Sequence, residues 1–355
     1  MPFPLLAAVV FGVAALLAAT VTPLARRIGL RYGIADAPGG RRRHTGLVPR
    51  VGVIPLYVAF CAAILLTRGF PRDDPEEWLR VTGILVGATI VLVGGLLDDK
   101  LQVGPAAMIA GVAIVASSAI PFKIFIEVFN NPLTNQQVWL EWYGMVPLTL
   151  FWIMGCMVTV NLLDGLDGLS TGVTAIASLV LFVHMLRLEQ YSTSLLPLAL
   201  LGATLGFLPY NLHPARIFLG SGAYFLGYAL GTLSIVSGAK LATLLLVIGV
   251  PILDVAWQLF DRWRRGQPLG LGDRGHLHFR LLDLGMSQRT IVSLYYLLTA
   301  VLGGVALLVS SRLLKLAVIL IVVVAVTPLL ALLSRRQPAA SAATSSEPGQ
   351  SPPEE

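Results

Sequence analysis

Apolar residues follow one another in long runs along most of the chain, and polar residues are confined to the segments between them. Each run lasts about 16–22 residues, enough for a helix rising 1.5 Å per residue to cross a hydrocarbon core of about 30 Å. The ~10-residue alternation typical of membrane β-barrel strands is missing. The pattern therefore predicts an all-α, polytopic transmembrane bundle with about eleven spans. The predicted spans cover residues 4–24, 51–67, 81–97, 104–121, 144–162, 169–188, 195–210, 219–237, 240–260, 290–310 and 313–333.

Composition agrees with a membrane protein. Hydrophobic residues make up 56% of the chain and charged residues 12%, with a mean hydropathy of +0.80, whereas a soluble domain carries about a quarter charged residues. The first apolar run lacks the basic start and the cleavage site of a signal peptide, so we expect it to remain as an anchor. We expect residues 1–336 to form one integral-membrane domain and residues 337–355, rich in Pro, Ser, Ala and Glu, to form a disordered cytoplasmic tail.

The net charge of +6 is unevenly distributed. Basic residues concentrate in segments 25–50 and 261–289, while 68–80 and 122–143 are neutral or slightly acidic. The positive-inside rule therefore predicts an external N-terminus, a cytoplasmic C-terminus and cytoplasmic odd-numbered loops. On this topology the polar clusters all face the cytoplasm, which predicts a single active site there. The clusters are Arg41-Arg42-Arg43-His44, Asp98-Asp99-Lys100, Asn161 to Ser170, Asn211 to Arg216 and Gly272 to Arg280.

The cluster that begins at Asn161 carries the strongest chemical signal. Asn161, Asp164 and Asp167 recur every third residue, so on a helical turn they would share one face. Gly165 and Gly168 beside them would let a ligand or a second chain approach the backbone. Because ionisable groups at the mouth of a span are costly to desolvate, the pattern predicts a divalent cation and a phosphate-bearing substrate.

The adjacent pair Asp98-Asp99 has two interpretations. It could be a solvated cap at a helix end. Together with Asp164 and Asp167 it could instead supply oxygen ligands for Mg²⁺, which usually binds through one or two carboxylates plus substrate phosphates.

His276 and His278 would point the same way in an extended loop. With Arg274 and Arg280 they resemble an anion-binding loop, since the guanidinium fork suits phosphate oxygens. The spacing of the two histidines alone does not predict zinc, because no cysteine ligands accompany them.

Three further sites have a structural interpretation, which for the first two competes with a functional one. Arg41 to Arg43 could serve only as topology determinants. Asp254, within the predicted ninth span, is a functional candidate as an intramembrane carboxylate, or it pairs with a neighbouring helix. His184 lies in a span without an evident polar companion, so we expect a structural role.

The motifs and their order resemble the polyprenyl-phosphate N-acetylhexosamine-1-phosphate transferases, the glycosyltransferase family 4 superfamily that includes the bacterial MraY and WecA enzymes. The resemblance runs from about Asp36 to Arg289, and the His-Leu-His-x-Arg loop is closer to the WecA/TagO-like branch. The motifs that carry it are Asp36-x-Pro38-x-x-Arg41-Arg42-x-His44, Val48-Pro49-Arg50-x-Gly52, Asp98-Asp99, Asn161-x-x-Asp164-Gly-x-Asp167-Gly-Leu, Asn211-x-x-Pro214-Ala215-Arg216 and His276-Leu-His278-x-Arg280.

The resemblance implies transfer of N-acetylhexosamine-1-phosphate from a UDP-sugar to polyprenyl (undecaprenyl) phosphate in the inner (plasma) membrane, the first step of a cell-surface glycan. It implies Mg²⁺, with Mn²⁺ as an alternative, and contact with membrane lipid; a homodimer is compatible with it, and no nucleic-acid partner is expected. The implied catalytic residues are Asp98, Asp99, Asp164 and Asp167, with Asp99, Asp164 and Asp167 also binding the metal. The implied substrate-binding residues are Arg41, Arg42, His44, Asn161, Asn211, Arg216, Asp254, His276, His278 and Arg280.

One departure from the family pattern concerns the metal. The family reads Phe-Leu-Gly-Asp-Ser-Gly-Ala, and its aspartate is a principal Mg²⁺ ligand. This chain passes directly from Gly220 to Ser221, which leaves Ser221 nearest the missing ligand. The alternative hypothesis is therefore a catalytically impaired member that binds lipid phosphate or nucleotide-sugar, or a transport protein for a lipid-linked substrate.

Overall fold

The computed structural model describes residues 1–36, 46–72, 74–131, 134, 136–236, 238, 241–266 and 275–335. Within these ranges the chain is mainly helical. Its helices are α1 (Phe3–Arg31), α2 (Val53–Leu66), α3 (Glu77–Leu101), α4 (Pro105–Ser117), α5 (Trp142–Leu163), α6 (Leu169–Arg187), α7 (Tyr191–Asn211), α8 (Gly222–Val236), α9 (Leu241–Val247), α10 (Gly249–Arg264), α11 (Leu277–Asp283), α12 (Gln288–Leu308) and α13 (Arg312–Arg335). Two short antiparallel hairpins pair β1 (Ala35–Asp36) with β2 (Val48–Pro49) and β3 (Val128–Asn130) with β4 (Gln137–Trp139).

Among the described residues, eight helical segments are long and apolar enough to cross a membrane. They are α1, α3, α4 with the short helical turn after it, α5, α6, α7, α12 and α13. The predicted spans at 51–67 and 219–237 correspond to the shorter apolar helices α2 and α8. The structure therefore agrees with the predicted all-α membrane bundle, while the number of spans and their orientation stay predictions.

The predicted ninth span at 240–260 is not one straight helix. It is divided into α9 and α10, whose axes differ by 79°. In a continuous helix the ring of Pro251 would clash with the carbonyl of Val247, four residues earlier, and α9 ends at that residue. Within α10 Pro251 lies in the first turn, where its missing N–H has no intrahelical partner to lose. The interruption therefore lies where a continuous helix would accommodate this proline poorly.

The helix α8 forms the centre of the bundle, and every one of its residues is buried. It packs mainly against α5 and α3. A Cβ at Gly227 would lie 2.5 Å from the carbonyl oxygen of Cys156, so glycine is needed for the close approach of α8 to α5. Because α8 begins directly after the Gly220–Ser221 turn, its packing places that turn among the ends of the neighbouring helices.

The expectation that His184 has no polar companion was wrong. Its Nδ1 lies 3.1 Å from the hydroxyl of Thr243 in α9. The two residues are 59 positions apart, and the contact arises because α6 packs against α9. A pattern along the sequence does not contain that information.

Candidate active site

Backbone hydrogen bonds join the first loop to the turn that precedes α8. The amide of Phe218 donates to the carbonyl of Pro49 at 2.8 Å, and the amide of Gly52 donates to the carbonyl of Phe218 at 3.0 Å. These bonds continue the pairing of β1 with β2. As a result, Arg50 lies beside the Gly220–Ser221 turn.

Asp99, in the last turn of α3, is buried against this junction. Its Oδ2 accepts a hydrogen bond from the amide of Ser221 at 2.8 Å, and its Oδ1 lies 3.7 Å from Nη2 of Arg50. The other terminal nitrogen of Arg50, Nη1, donates to Oδ1 of Asp36 at 3.4 Å. The guanidinium thus lies between the two carboxylates, and Asp99 is bound on both of its oxygens.

Asp98 is less buried than Asp99 and lies in the last turn of α3. Its carbonyl accepts from the amide of Gln102 at 2.7 Å, and its side-chain Oδ1 accepts from the amide of Val103 at 3.2 Å. These contacts give Asp98 alone a role at the helix end, since Asp99 is buried and not a solvated cap. The two adjacent aspartates therefore have different environments.

The helix α5 ends at Leu163, so Asp164 lies in a turn. The hydroxyl of Ser170 donates to Oδ1 of Asp164 at 2.7 Å. Burial raises the pKa of Asp164 to about 7, with smaller increases from the carboxylates of Asp167 and Asp99, against the lowering effects of Ser170 and Arg50. A carboxyl with this pKa is partly protonated at neutral pH, and a nearby cation would favour its ionised form.

Asp167 has different contacts from Asp164. Its Oδ2 accepts from the amide of Ala215 at 3.1 Å and lies 2.8 Å from Nδ1 of His213. The expectation that Asp164 and Asp167 share one helical face was wrong, because the helix stops before both of them and Gly168 turns the chain with φ +79°. Asp167 instead holds the loop that follows α7.

Asn211 also shapes this loop and is buried. Its Oδ1 accepts from the hydroxyl of Thr171 at 2.7 Å, and its Nδ2 donates to the carbonyl of Ile217 at 3.0 Å. Arg216 is exposed, and its carbonyl accepts from Nε of Arg26 at 3.1 Å. The described contacts of Asn211 are therefore structural, while the side chain of Arg216 lies on the surface.

Asp254 connects α10 to α11. Its Oδ1 accepts from the amide of Leu277 at 2.9 Å, and its Oδ2 lies 3.0 Å from Nδ1 of His276. The side chain of Gln258, one turn further along α10, donates to the carbonyl of Gly275. The intramembrane carboxylate predicted from the sequence thus fixes the start of α11 and one ring nitrogen of His276.

His278 packs directly against the turn that carries Asp164. A Cβ at Gly165 would lie 2.1 Å from Nε2 of His278, so only glycine leaves room for the ring. The ring stacks parallel to that of His276, with 5.8 Å between centroids. Neither of its nitrogens has a hydrogen-bond partner in the described structure. Burial, with a smaller effect from His276, lowers the pKa of His278 to about 3, so the ring is neutral at physiological pH.

Arg280 contacts α13. Its Nη1 donates to the carbonyl of Leu330 at 3.0 Å and to the hydroxyl of Ser334 at 2.7 Å, both on that helix. These bonds direct the guanidinium toward α13, whereas the sequence pattern predicted that Arg280 acts together with His276 and His278.

The remaining predicted residues fall into two groups. Asn161 is partly buried near the end of α5 and interacts with Tyr224 of α8, which also faces Asp98 and Asp99. Arg41, Arg42 and His44 lie outside the described residues.

Two residues at the site were missed from the sequence. Arg50 belongs to one of the sequence motifs, but nothing distinguishes it from the many neighbouring arginines as the ion-pair partner of Asp99. Tyr296, in α12, donates its hydroxyl to the carbonyl of Gly168 at 2.6 Å and so fixes the turn after α5. The sequence gives no sign of Tyr296 because the hydrogen bond joins residues 128 positions apart.

The carboxylates can be compared with the needs of a divalent cation. Within the described ranges, no three His, Cys, Asp or Glu side chains converge into a metal site. Mg²⁺ needs fewer protein ligands, because one or two carboxylates together with substrate phosphates and waters complete its shell. Asp99 and Asp164 interact electrostatically, and the raised pKa of Asp164 reflects buried negative charge that a cation would balance. The donor set therefore fits Mg²⁺ completed by substrate, not an all-protein cage.

Comparison with known proteins identifies the family of the chain. Residues 81–238 match the family described as glycosyl transferase family 4. This stretch includes most of α3, all of α5 and α8, and the residues Asp99, Asp164 and Ser221.

Curated relatives match over most of the chain. A probable undecaprenyl-phosphate N-acetylglucosaminyl 1-phosphate transferase of Bacillus subtilis is 34% identical over 82% of this chain and 81% of its own length. A decaprenyl-phosphate N-acetylglucosaminephosphotransferase of Mycolicibacterium smegmatis is 30% identical over 81% of this chain and 78% of its own length. A phospho-N-acetylmuramoyl-pentapeptide-transferase of Bacillus subtilis is 29% identical over 82% of this chain and 94% of its own length. The chain therefore belongs to glycosyl transferase family 4, the polyprenyl-phosphate N-acetylhexosamine-1-phosphate transferases.

Proposed function

We propose that this protein transfers N-acetylglucosamine-1-phosphate from the UDP-sugar to a polyprenyl phosphate in the plasma membrane. An oxygen of the acceptor phosphate attacks the sugar-bearing phosphorus, the bond from that phosphorus to the bridging oxygen breaks, and UMP leaves with its electron pair. The products are polyprenyl-diphospho-N-acetylglucosamine and UMP. The names of two relatives support the choice of N-acetylglucosamine.

One observation carries this proposal. Asp99 and Asp164, from two separate apolar helix ends, interact in a buried cluster together with Arg50. Such groups are costly to bury at the end of a membrane span, and binding of a cation and of phosphates would offset that cost. The polyprenyl chain of the acceptor would remain in the bilayer while its phosphate reaches the cluster.

The topology supports a cytoplasmic site. Arg50, Asp99, Asp164 and His278 come from loops that the positive-inside rule assigns to the cytoplasm, and Ser221 closely follows another such loop. Their segments meet at one end of the bundle, as a site supplied with cytoplasmic UDP-sugar requires.

Each part of the site has a role in this proposal. Asp98, partly exposed, would orient the acceptor phosphate, which is already mostly dianionic near neutral pH and needs no strong base (second pKa about 6). Asp99, Asp164 and Asp167 would hold Mg²⁺, which supplies charge neutralisation for the two phosphates when bound. His278, neutral and buried against Gly165, would position the turn that carries Asp164.

The test is release of UMP by the purified protein from UDP-N-acetylglucosamine, with polyprenyl phosphate and Mg²⁺ present. We expect turnover that depends on all three components and is lost in Asp99→Asn. The matched control is Asp74→Asn, which removes a carboxylate paired with Arg80 away from the proposed site and should retain turnover.

Two outcomes would contradict the proposal. Binding of UDP-N-acetylglucosamine without turnover above the Asp99→Asn background would favour a catalytically impaired, ligand-binding member of the family. Preferential use of UDP-N-acetylmuramoyl-pentapeptide would assign the chain to the other substrate class represented among its relatives.

A further inference from the structure

Arg50 is held in position by both its backbone and its side chain. Its amide donates to the carbonyl of Ile34 at 3.0 Å, and Pro49 before it and Gly52 after it both bond to Phe218. Its guanidinium lies between Asp36 at 3.4 Å and Asp99 at 3.7 Å. A long side chain fixed at both ends has already lost much of the conformational entropy that ligand binding would otherwise remove.

The guanidinium is also the accessible part of this group. The side chain of Arg50 is 31% exposed, against 2% for Asp99 and 11% for Asp36. An arginine has five N–H donors arranged as a planar fork, and the two carboxylates face only its two terminal nitrogens. An incoming anion can therefore reach the guanidinium edge but not the carboxylates behind it.

Two other arginines of the site loops, Arg280 and Arg216, have surroundings different from those of Arg50. Arg280 bonds to α13, and Arg216 is exposed on the loop after α7. Among the lysines and arginines that the structure describes, Arg50 is the one with an ion pair to Asp99, and its charge also acts on Asp164. A reaction that joins two phosphates needs a fixed cation close to these carboxylates.

We propose that Arg50 binds a phosphate group of one of the two substrates through its exposed guanidinium edge, with Asp36 and Asp99 orienting it from behind. This assignment rests on the proposed transferase function for the identity of its ligands. The shared chemistry is a phosphate ester, carried by both the UDP-sugar and the polyprenyl phosphate. Arginine suits this ligand because its fork matches two phosphate oxygens at once.

The competing interpretation is that Arg50 only neutralises Asp99. The two roles respond differently to substitution. Arg50→Gln removes the charge and the fork, Arg50→Lys keeps the charge alone, and Asp36→Asn keeps the arginine but weakens its orientation. The matched control is Arg80→Gln, which removes an arginine held between Asp74 and Glu76 outside the proposed site.

The experiment measures dissociation constants on purified full-length protein in two arms. One arm uses UDP-N-acetylglucosamine, and the other uses undecaprenyl phosphate in detergent micelles. For the ligand whose phosphate binds Arg50, we expect Arg50→Gln to weaken binding by about 10–100-fold. This is the usual effect of losing hydrogen bonds to a charged group. Arg50→Lys should recover part of that loss, Asp36→Asn should weaken binding less than Arg50→Gln, and Arg80→Gln should change nothing. Thermal unfolding of each variant separates lost binding from lost folding.

The proposal would be overturned if a folded Arg50→Gln bound both ligands with dissociation constants within about twofold of the unsubstituted protein. Arg50 would then be only a partner of Asp99. An equal loss in Arg80→Gln would overturn it as well. If Arg50→Gln does not fold, the comparison of Arg50→Lys with Asp36→Asn makes the same test. Because both arms measure binding without turnover, an inactive protein whose phosphate binding still depends on Arg50 would contradict the proposed function and not this assignment.

Discussion

The amide of Ser221 donates a 2.8 Å hydrogen bond to the carboxylate of Asp99. The residue before it, Gly220, has φ +57°, and a Cβ there would lie 2.7 Å from the same carboxylate oxygen. The turn before α8 and the end of α3 are therefore closely packed. The position after Gly220, where the family has an aspartate, is here taken by the amide that binds Asp99.

Gly220→Ala should disrupt this contact. The alanine would be strained by the positive φ, at about 1–2 kcal/mol, and its Cβ would push against Asp99 and the carbonyl of Arg50 at a further cost of about 1–3 kcal/mol. We expect a lower thermal unfolding midpoint and at least about a tenfold fall in UMP release, the result of losing about 1.4 kcal/mol of transition-state stabilisation.

Gly33→Ala provides the matched control for this substitution. Gly33 has φ +68°, and a Cβ there meets nothing within 4 Å. It should therefore show the backbone strain without the crowding and without the loss of activity. Equal effects of the two substitutions would contradict the assignment of the turn to the site.

Gly165→Ala tests the contact between the turn after α5 and α11. The new Cβ would lie 2.1 Å from Nε2 of His278 and 2.8 Å from the ring of Phe279. Because His278 is enclosed, α11 would have to move, and we expect a cost of about 1–3 kcal/mol together with loss of turnover. Gly155→Ala, in α5 where a Cβ has open space, should behave like the unsubstituted protein in both thermal unfolding and activity.

These contacts show which parts of the structure the sequence could predict. The apolar runs located the helices well, since their lengths follow from the thickness of the bilayer. The spacing of Asn161, Asp164 and Asp167 pointed to the segment of the proposed site but predicted the wrong local geometry, because a period of three does not reveal that the helix ends at Leu163. Proline alone does not predict the interruption before Pro251, because Pro197 and Pro209 lie inside the undivided helix α7.

Contacts between distant segments could not be predicted in this way. Arg50 and Asp99 are brought together by the hydrogen bonds of Phe218 with the first loop. Arg280 turns toward α13 because α11 is oriented by its bonds to Asp254. In both cases the side chain is directed by a backbone contact with a third segment, which no pattern within one segment encodes.

His278 should contribute a loss of stability in mild acid, opposite in sign to the contribution of Asp164, whose raised pKa favours the folded chain as the pH falls. The folded-state pKa of His278 is about 3, against an ordinary value of 6.5. Below pH 6.5 the His278 ring therefore binds a proton in the unfolded chain but not in the folded chain. The stabilisation is fully present above pH 6.5 and is lost as the pH falls toward 3, by up to about 1.4 kcal/mol per pH unit.

His278→Leu isolates this effect. The leucine fills the buried site without a titrating group, so the contribution of His278 is removed and that of Asp164 remains. Thermal unfolding in detergent between pH 7.5 and 5.0 should show the variant gaining stability relative to the unsubstituted protein as the pH falls. Parallel curves would mean that the ring is not enclosed as the structure indicates.

Asp254→Asn should impair catalysis more than folding. The asparagine oxygen can still accept from the amide of Leu277, but the negative charge beside His276 is lost, and with it the control of that ring's orientation. Loss of such a supporting contact typically lowers activity by about 10–100-fold.

The matched control is Asp261→Asn, a buried acid on the same helix that pairs with Arg264 and Arg265. UMP release and thermal unfolding should separate the two variants, with turnover lost only in Asp254→Asn. Full turnover in that variant would show that His276 needs no carboxylate and that Asp254 serves only to join α10 to α11.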